Sequence, residues 1–296
     1  MSGFLEGRVA IVTGAGAGLG RSHALALAAA GAKVVVNDLS STGDARSGEA
    51  IAAEINGQGG EAFYFGANVT DANAVDEMVL TALKKWGRID ILVNNAGILR
   101  DKSFAKLTAD DFRLVMEVHV MGAFNCSKAV WTAMREQNYG RIIMTSSASG
   151  IYGNFGQANY AAAKMALVGL MNTLHIEGEK YNIRVNALAP TAYTQMLAGL
   201  VDENTAQMLT AESVSAGVVF LASEEAPSKT ILGAGGGCFA VSHIYETPGV
   251  YLHADERTPA EIARRFGEIS PPITEGALEN AFSQIKKFSH LAKNSA

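Results

Sequence analysis

Short apolar runs rich in β-branched residues alternate with longer helix-like segments along most of the chain, and this alternation constrains the fold. Six runs are predicted to be strands: Arg8–Gly14, Lys33–Asp38, Glu61–Ala67, Ile89–Asn95, Arg141–Ser147 and Asn182–Leu188. Five longer segments are predicted to be helices: Leu19–Ala30, Gly43–Asn56, Asp71–Trp86, Ala109–Gln137 and Ala158–Lys180. Uninterrupted apolar runs are typical of strands buried on both faces of a sheet. We therefore expect an α/β protein with a doubly wound, Rossmann-like parallel sheet and helices on both faces.

The last fifty residues have a different pattern. A capping box with Pro at the first helical position begins at Thr258, and it is followed at helical spacing by Ile262, Phe266 and Ile269. A second amphipathic pattern contains Leu278, Phe282, Ile285 and Phe288. We predict one catalytic domain over residues 1–245 and a C-terminal helical extension over residues 246–296 that is not an independent domain. The extension either covers the core or forms a cap or subunit contact.

Composition and charge disfavour several classes of protein. The 296 residues include 24 Lys and Arg against 29 Asp and Glu, a net charge of −5, whereas proteins that bind nucleic acid are usually basic. No apolar run approaches the ~18 residues of a membrane span, and no signal peptide is visible, so we expect a cytoplasmic location. Neither Cys126 nor Cys238 has ligands at metal-binding spacing. We expect two separate thiols, no metal site and no membrane or nucleic-acid partner.

A glycine-rich turn follows the first predicted strand. The spacing T-G-x-x-x-G-x-G is matched by Thr13, Gly14, Gly18 and Gly20, whereas the G-x-G-x-x-G spacing fails because its last position is Leu19. Glycines at these places allow a tight turn and let a pyrophosphate approach the N–H groups at a helix N-terminus. The turn therefore predicts a dinucleotide cofactor.

Asp38 indicates which dinucleotide. It ends the second predicted strand, about twenty residues after the turn. A carboxylate there accepts hydrogen bonds from the adenosine ribose hydroxyls and repels a 2′-phosphate. No Arg or Lys stands beside Asp38, and Ala17 occupies a position in the turn where a basic residue could meet that phosphate. We expect NAD rather than NADP.

Tyr160 and Lys164 form a Y-x-x-x-K pair on a predicted helix, so their side chains lie on one helical face. A phenol with a pKa near 10 is a poor base at pH 7, and a neighbouring ammonium group favours its ionised form. The pair alone occurs by chance in many proteins. Ser147, however, ends the fifth predicted strand thirteen residues before Tyr160, at the sheet edge where ligands sit. We therefore predict that the three residues form a catalytic set.

Together these motifs resemble the short-chain dehydrogenase/reductase superfamily over residues of about 7 to 240, and Asn94-Asn95-Ala96-Gly97 adds to the likeness. The resemblance implies that Tyr160 is the acid/base, that Ser147 polarises the substrate oxygen, and that Lys164 holds the nicotinamide ribose and tunes Tyr160. It also implies the residues that contact the cofactor: Gly14, Gly18, Leu19, Gly20, Asp38, Asn68, Val69, Asn95, Ala96, Gly97, Tyr160, Lys164, Pro190 and Thr194.

Two positions depart from the family pattern. His119 stands twenty-eight residues before Ser147, where the family often carries a catalytic Asn that holds a water. A neutral imidazole could take over that role, and a histidine satisfied within its helix is the alternative. The family's Pro-Gly pair is Pro190-Thr191 here, so the loop over the nicotinamide is expected to differ in shape, with Thr194 as the carboxamide contact.

The stretch Tyr139–Lys164, with Gly97–Phe104, is similar to the (3R)-hydroxyacyl-CoA dehydrogenase part of peroxisomal multifunctional enzymes. The resemblance implies an NAD-dependent enzyme that oxidises a secondary alcohol by hydride transfer, foremost (3R)-3-hydroxyacyl-CoA to 3-oxoacyl-CoA. Hydroxysteroid dehydrogenase and 3-oxoacyl thioester reductase remain alternatives, and a non-catalytic NAD-binding protein is a remote one. Arg100 and Lys102 are either contacts for the CoA phosphates or solvated loop charges. The family is usually dimeric or tetrameric, so we expect a homodimer or homotetramer.

Overall fold

The computed structural model describes residues 3–39, 48–192, 207–247, 249–271 and 285–290. Its strands are β1 (Val9–Thr13), β2 (Lys33–Asp38), β3 (Ala62–Gly66), β4 (Ile91–Asn94), β5 (Gly140–Thr145), β6 (Ile183–Pro190), β7 (Ile231–Gly235) and β8 (Cys238–Ser242). They form one sheet in the order β3-β2-β1-β4-β5-β6-β7-β8. Neighbours pair in parallel except β7 and β8, which are antiparallel. The predicted Rossmann-like parallel sheet is confirmed.

Helices connect the strands. They are α1 (Gly18–Ala29), α2 (Gly48–Gly57), α3 (Ala72–Trp86), α4 (Ala109–Met116), α5 (Gly122–Gln137), α6 (Ala148–Tyr152), α7 (Ala158–Gly178), α8 (Glu212–Ala222), α9 (Pro259–Arg264) and α10 (Phe266–Ile269). A π-helical turn, Glu117–Met121, joins α4 to α5. Residues 285–290 are also helical. No helix within the described ranges is long and apolar enough to cross a membrane.

Strand β1 shows how the sheet separates two cores. All five of its residues are buried, and consecutive side chains point to opposite faces. Ala10 and Val12 pack into one apolar cluster with residues of α1, α2 and α8. Val9 and Ile11 pack into a second cluster with residues of α3, α5 and α7. Burial on both faces explains why the strand is apolar throughout instead of alternating with polar residues.

The sequence did not predict the two strands at the far edge, β7 and β8, or helix α8. Strand β7 reads Ile-Leu-Gly-Ala-Gly, and glycine is normally depleted in strands. It is used here because backbones approach closely: a Cβ on Gly235 would lie 2.2 Å from the carbonyl oxygen of Thr191. The pairing of β7 with β6 supplies the stability that local propensity lacks.

The C-terminal extension forms two short helices, α9 and α10, where one amphipathic pattern was predicted. Thr258 caps α9 as expected, because its side chain accepts a hydrogen bond from the N–H of Glu261. Phe288 is 1% exposed, and its carbonyl accepts a long contact of 3.4 Å from the thiol of Cys238 on β8. Leu278 and Phe282 lie outside the described residues. The division into a domain and an extension remains a prediction.

Asp90 ties two strands together at the sheet edge opposite the candidate site. Its side chain is fully buried and accepts a 2.9 Å hydrogen bond from the N–H of Val9, which begins β1. The guanidinium groups of Arg8 and Arg88 also donate to the Asp90 carboxylate, at 3.1 and 2.5–2.7 Å. Three donors therefore compensate the desolvation of one carboxylate.

We expect Asp90→Ala to lower the free energy of unfolding by about 3 kcal/mol, because it removes the acceptor that three buried or half-buried donors share. Urea denaturation at pH 7 measures the loss. The control is Asp110→Ala, which breaks an exposed pair with Arg113 and should leave stability almost unchanged. Equal, small losses in both variants would contradict this account of Asp90.

Candidate active site

The predicted motifs meet at the carboxyl edge of the sheet. The glycine-rich turn follows β1, Asn95 follows β4, and Ser147 lies two residues beyond the end of β5. Strands β1, β4 and β5 are adjacent and parallel. Residues far apart in sequence are therefore brought together at the place where α/β sheets bind ligands.

Asn95 holds the glycine-rich turn in place. Its side-chain amide donates to the carbonyls of Thr13 and Gly14, at 2.9 and 3.1 Å. The backbone N–H groups of Asn95 and Ala96 both donate to the hydroxyl oxygen of Thr13, at 3.0 Å. Gly14 has φ +62°, and a Cβ there would lie 2.8 Å from the Cα of Ala96. The turn and the segment after β4 are thus packed backbone to backbone.

The start of α1 forms a cradle that fits a pyrophosphate. A Cβ on Gly20 would lie 2.1 Å from the carbonyl oxygen of Gly14, so glycine is required for the helix to sit on the turn. Gly18 has φ +53° and open space around its Cα. The N-cap residue Ala17 makes no side-chain hydrogen bond to the helix, and the first turn contains no acid. The N–H groups of this turn are therefore suited to an anionic ligand. Leu19 packs partly against the apolar core.

Asp38 lies beside this cradle at the end of β2. One carboxylate oxygen accepts a 2.7 Å hydrogen bond from the N–H of Gly16 in the turn, and the other accepts one from Leu39. Asn68 is exposed, and its side-chain oxygen accepts from the N–H of Thr70. Val69 is buried. The arrangement suits a ribose at Asp38 and a base near Asn68 and Val69.

Ser147, Tyr160 and Lys164 converge as the sequence predicts. Ser147 caps α6, where its hydroxyl oxygen accepts a 3.2 Å hydrogen bond from the N–H of Ser149. Tyr160 and Lys164 lie on the first two turns of α7. The ammonium of Lys164 is buried, donates to the carbonyl of Thr145 at 2.6 Å, and lies 5.4 Å from the centre of the Tyr160 ring.

Burial dominates the electrostatics of this set. It raises the pKa of Tyr160 to about 12, although a hydrogen bond from Ser147 lowers the pKa in part. It lowers the pKa of Lys164 to about 7. From the sequence we expect Lys164 to lower the pKa of the Tyr160 phenol, whereas in the structure the net shift of that pKa is upward. The physical reason is that removal from water disfavours both charged forms.

His119 contacts Tyr160, the predicted acid/base. It lies on the π-helical turn, is buried, and meets the Tyr160 ring edge to face, with ring centres 5.4 Å apart. Its Nε2 lies 3.1 Å from the N–H and 2.9 Å from the carbonyl of Ile98. Burial and the nearby Lys164 lower its pKa to about 3, so the ring is neutral at physiological pH. The structure therefore brings His119 into the site, packed and hydrogen-bonded.

The segment after Gly97 is fixed to the start of α7 by residues that the sequence analysis missed. Gln157 is buried and donates to the carboxylate of Asp101 at 2.7 Å, while accepting from the hydroxyl of Ser149. Asn159 is buried and donates to the carbonyl of Arg100 at 3.0 Å. Buried amides just before Tyr160 were a usable signal, but their partners Asp101 and Arg100 are more than fifty residues away.

The remaining predicted residues are placed as follows. Arg100 is exposed, and Lys102 forms a 2.7 Å ion pair with Asp111. Pro190 ends β6, and Thr194 lies outside the described residues. Within the described ranges no group of three or more His, Cys, Asp or Glu is placed to hold a metal ion, and the two cysteines are free thiols.

The chain is similar to proteins of one known family. The model of the short chain dehydrogenase family matches residues 8–205. Peroxisomal multifunctional enzyme type 2 of Mus musculus is 43% identical over 295 residues, which cover 97% of this chain and 38% of that protein. The chain thus spans well under half of that relative's length. The relative is named as a peroxisomal enzyme, and the cytoplasmic location that we expect for this chain stays a prediction.

Two solved structures are also similar. A short chain dehydrogenase from Mycobacterium avium is 37% identical with a TM-score of 0.80, covering 93% of this chain and all of that one. A 7α-hydroxysteroid dehydrogenase in complex with NADH and 7-oxo glycochenodeoxycholic acid is 32% identical with a TM-score of 0.71, covering 79% of this chain and 94% of that one. Because the family model matches two thirds of the sequence and the fold agrees, the chain belongs to the short-chain dehydrogenase family, whose members are NAD(P)-dependent oxidoreductases.

Proposed function

We propose that the chain catalyses NAD-dependent oxidation of (3R)-3-hydroxyacyl-CoA to 3-oxoacyl-CoA. The observation that carries this proposal is the convergence of Ser147, Tyr160 and Lys164 beside the glycine-rich cradle. The likeness to peroxisomal multifunctional enzymes, over almost the whole chain, supports an acyl-CoA substrate. The NADH held by a similar hydroxysteroid dehydrogenase supports the cofactor type.

In this proposal Tyr160 exchanges the proton of the substrate hydroxyl. As a phenolate it takes that proton, while the hydroxyl of Ser147 donates a hydrogen bond to the developing carbonyl oxygen. NAD⁺, when bound, supplies the acceptor for the hydride that leaves the carbinol carbon. Lys164, when protonated, stabilises the phenolate through space and binds the nicotinamide ribose. Because burial raises the pKa of Tyr160 to about 12, the phenolate fraction grows with pH.

The first test is removal of the phenolic oxygen. Tyr160→Phe should lower kcat for 3-hydroxyacyl-CoA oxidation by about 10²–10⁴-fold, with NAD affinity largely kept, because only the proton acceptor is lost. Wild-type kcat should rise from acid pH as the phenolate fraction grows and level off above about pH 7, because Lys164, whose pKa is lowered to about 7, then loses the charge that stabilises the phenolate. The control is Tyr152→Phe, which removes a hydroxyl bonded to Ser242 and should keep most activity. Near-normal turnover of Tyr160→Phe would refute the assignment.

The preference for NAD rests on the charge of Asp38 beside the turn. Asp38→Asn keeps a hydrogen-bond acceptor for Gly16 and removes the charge that repels a 2′-phosphate. We expect kcat/KM with NADP to rise and kcat/KM with NAD to fall by a smaller factor. The ratio of kcat/KM with NAD to that with NADP should therefore become smaller than in the wild type. Steady-state kinetics with both cofactors measure the ratio, with Asp76→Asn as an exposed control. A wild-type enzyme that prefers NADP would contradict the proposal.

Arg100 and Lys102 remain candidates for the CoA phosphates. Lys102 is already paired with Asp111, whereas the Arg100 guanidinium donates to the neighbouring carbonyl of Leu99 and forms no ion pair within the described residues. Arg100→Ala should therefore raise KM for acyl-CoA more than Lys102→Ala does, and neither should change KM for a short hydroxy ester. Arg113→Ala is the control for a lost surface cation. Equal losses on both substrates would indicate a damaged loop instead.

A hydroxysteroid is the second candidate substrate, favoured by the structural likeness to the bile-acid-bound dehydrogenase. It uses the same three catalytic residues, so the Tyr160 variant does not separate the two. The choice depends on whether the alcohol is presented on a thioester or on a rigid ring system.

We also propose that the chain is a homodimer or homotetramer assembled through α5 and α7. Helices α4, α5 and α7 and the turn between α4 and α5 carry large apolar side chains that the single chain leaves exposed: Leu114, Met121, Phe124, Met165 and Ile176. A monomeric protein rarely exposes so many apolar groups on neighbouring elements.

Phe124→Asp should therefore lower the mass measured by analytical ultracentrifugation to that of a smaller species, because it places a charge in the apolar contact. Leu80→Asp alters an exposed leucine on α3 that is not part of the proposed contact, and it should keep the wild-type mass. A monomeric wild type, or an unchanged Phe124→Asp assembly, would contradict this interface.

A further inference from the structure

A small cavity lies directly behind His119, between the π-helical turn and the end of β4. Its volume is about 10 Å³, and its polar lining includes Asn94 and His119. Asn94 is 5% and His119 3% exposed. Asn94 Oδ1 and His119 Nδ1 have no hydrogen-bond partner among the protein atoms of the described residues. Two unpaired polar atoms thus belong to residues that line one small cavity.

The other polar atoms of both side chains are occupied. The amide nitrogen of Asn94 donates to the hydroxyl of Ser127 at 3.1 Å and contacts the sulfur of Met144 at 3.4 Å. Nε2 of His119 is bonded to the backbone of Ile98. Each residue therefore has one polar atom left over. Buried polar atoms without partners are rare in native proteins, and ordered water is their usual partner.

The space and the chemistry both fit one water molecule. A cavity of about 10–15 Å³ holds one water, provided that it offers polar partners. If Nε2 of His119 carries the proton and donates to the Ile98 carbonyl, Nδ1 is an acceptor, and the water donates to Nδ1 and to Asn94 Oδ1. If Nδ1 carries the proton, it donates to the water, which donates to Asn94 Oδ1. Either tautomer satisfies both atoms.

We propose that this cavity holds one internal water that bridges Asn94 Oδ1 and His119 Nδ1, and that Asn94 is thereby a positioning residue for Tyr160. The catalytic part of this inference rests on the proposed function. The His119 ring is restrained by Ile98 at Nε2, and a Cβ on Gly97 would lie 2.2 Å from its Cε1. The bridge restrains the remaining nitrogen, so the ring that meets Tyr160 edge to face has one orientation.

A crystal structure of the full chain at high resolution tests the water site without any assay. We expect a density peak at about 2.7–3.2 Å from both Asn94 Oδ1 and His119 Nδ1. A dry cavity, or a direct hydrogen bond between the two side chains, would overturn the proposal. Because this readout needs no substrate, it stands even if the proposed dehydrogenase activity is wrong.

Kinetics test the positioning role. Asn94→Ala and His119→Ala should each lower kcat about tenfold with KM for NAD unchanged, and the double variant should lose no more than the worse single variant, because both break one bridge. Ser127→Ala removes only the other partner of Asn94 and should cost less. Losses that multiply in the double variant would contradict a shared role.

One further variant tests the proposal with Asn94 unchanged, so that the test does not depend on whether the Asn94 variants fold. Ala123→Val adds volume at an apolar residue that lines the cavity and leaves the side chains of Asn94 and His119 unchanged. If the cavity is empty, the added methyl groups should leave kcat unchanged or raise stability. If it holds the bridging water, the valine should expel the water and reproduce the tenfold loss in kcat. The proposal would be overturned if a folded Ala123→Val protein kept its kcat and the crystal structure of the wild-type chain showed no water in the cavity.

Discussion

Four hydrogen bonds between Thr13-Gly14 and Asn95-Ala96 hold the two halves of the candidate site together. They join the ends of β1 and β4 across 82 residues of sequence. Gly20 packs on the Gly14 carbonyl that Asn95 also contacts, so the start of α1 is fixed by the same group. The segment from the end of β4 to Gly97 therefore fixes the position of the cofactor cradle. The same segment leads on to the predicted catalytic side chains.

Burial shifts the pKa values of Tyr160 and Lys164, two of the predicted catalytic residues. Lys164 is buried without a carboxylate partner among the described residues, and its ammonium is compensated only by the carbonyl of Thr145. Tyr160 is held neutral by the same removal from water. A phenolate forms in such a place only with stabilisation close by. This explains why Ser147 and Lys164 accompany the tyrosine, and why a neutral histidine, instead of a charged one, packs against its ring.

The sequence predicted the six central parallel strands, because burial on both faces leaves an uninterrupted apolar signal. It also located Ser147, Tyr160 and Lys164, whose spacing is local or tied to a strand end. It missed β7 and β8, since Gly235 allows the backbone of β7 to lie close to Thr191, although glycine has a low propensity for strands. It missed the bonds of Gln157 and Asn159, whose partners are more than fifty residues away. The pKa direction of Tyr160 depends on three-dimensional burial, which spacing does not contain.

The most direct measurement is NADH formation by the wild-type protein with separate enantiomers of 3-hydroxyacyl-CoA, beside free hydroxy acids and hydroxysteroids, each with NAD and NADP. We expect turnover of the (3R)-thioester with NAD, at a kcat/KM well above those of the other compounds. Turnover of a hydroxysteroid alone would replace the proposed substrate. Absence of NADH or NADPH formation from every alcohol would contradict the catalytic assignment of Ser147, Tyr160 and Lys164.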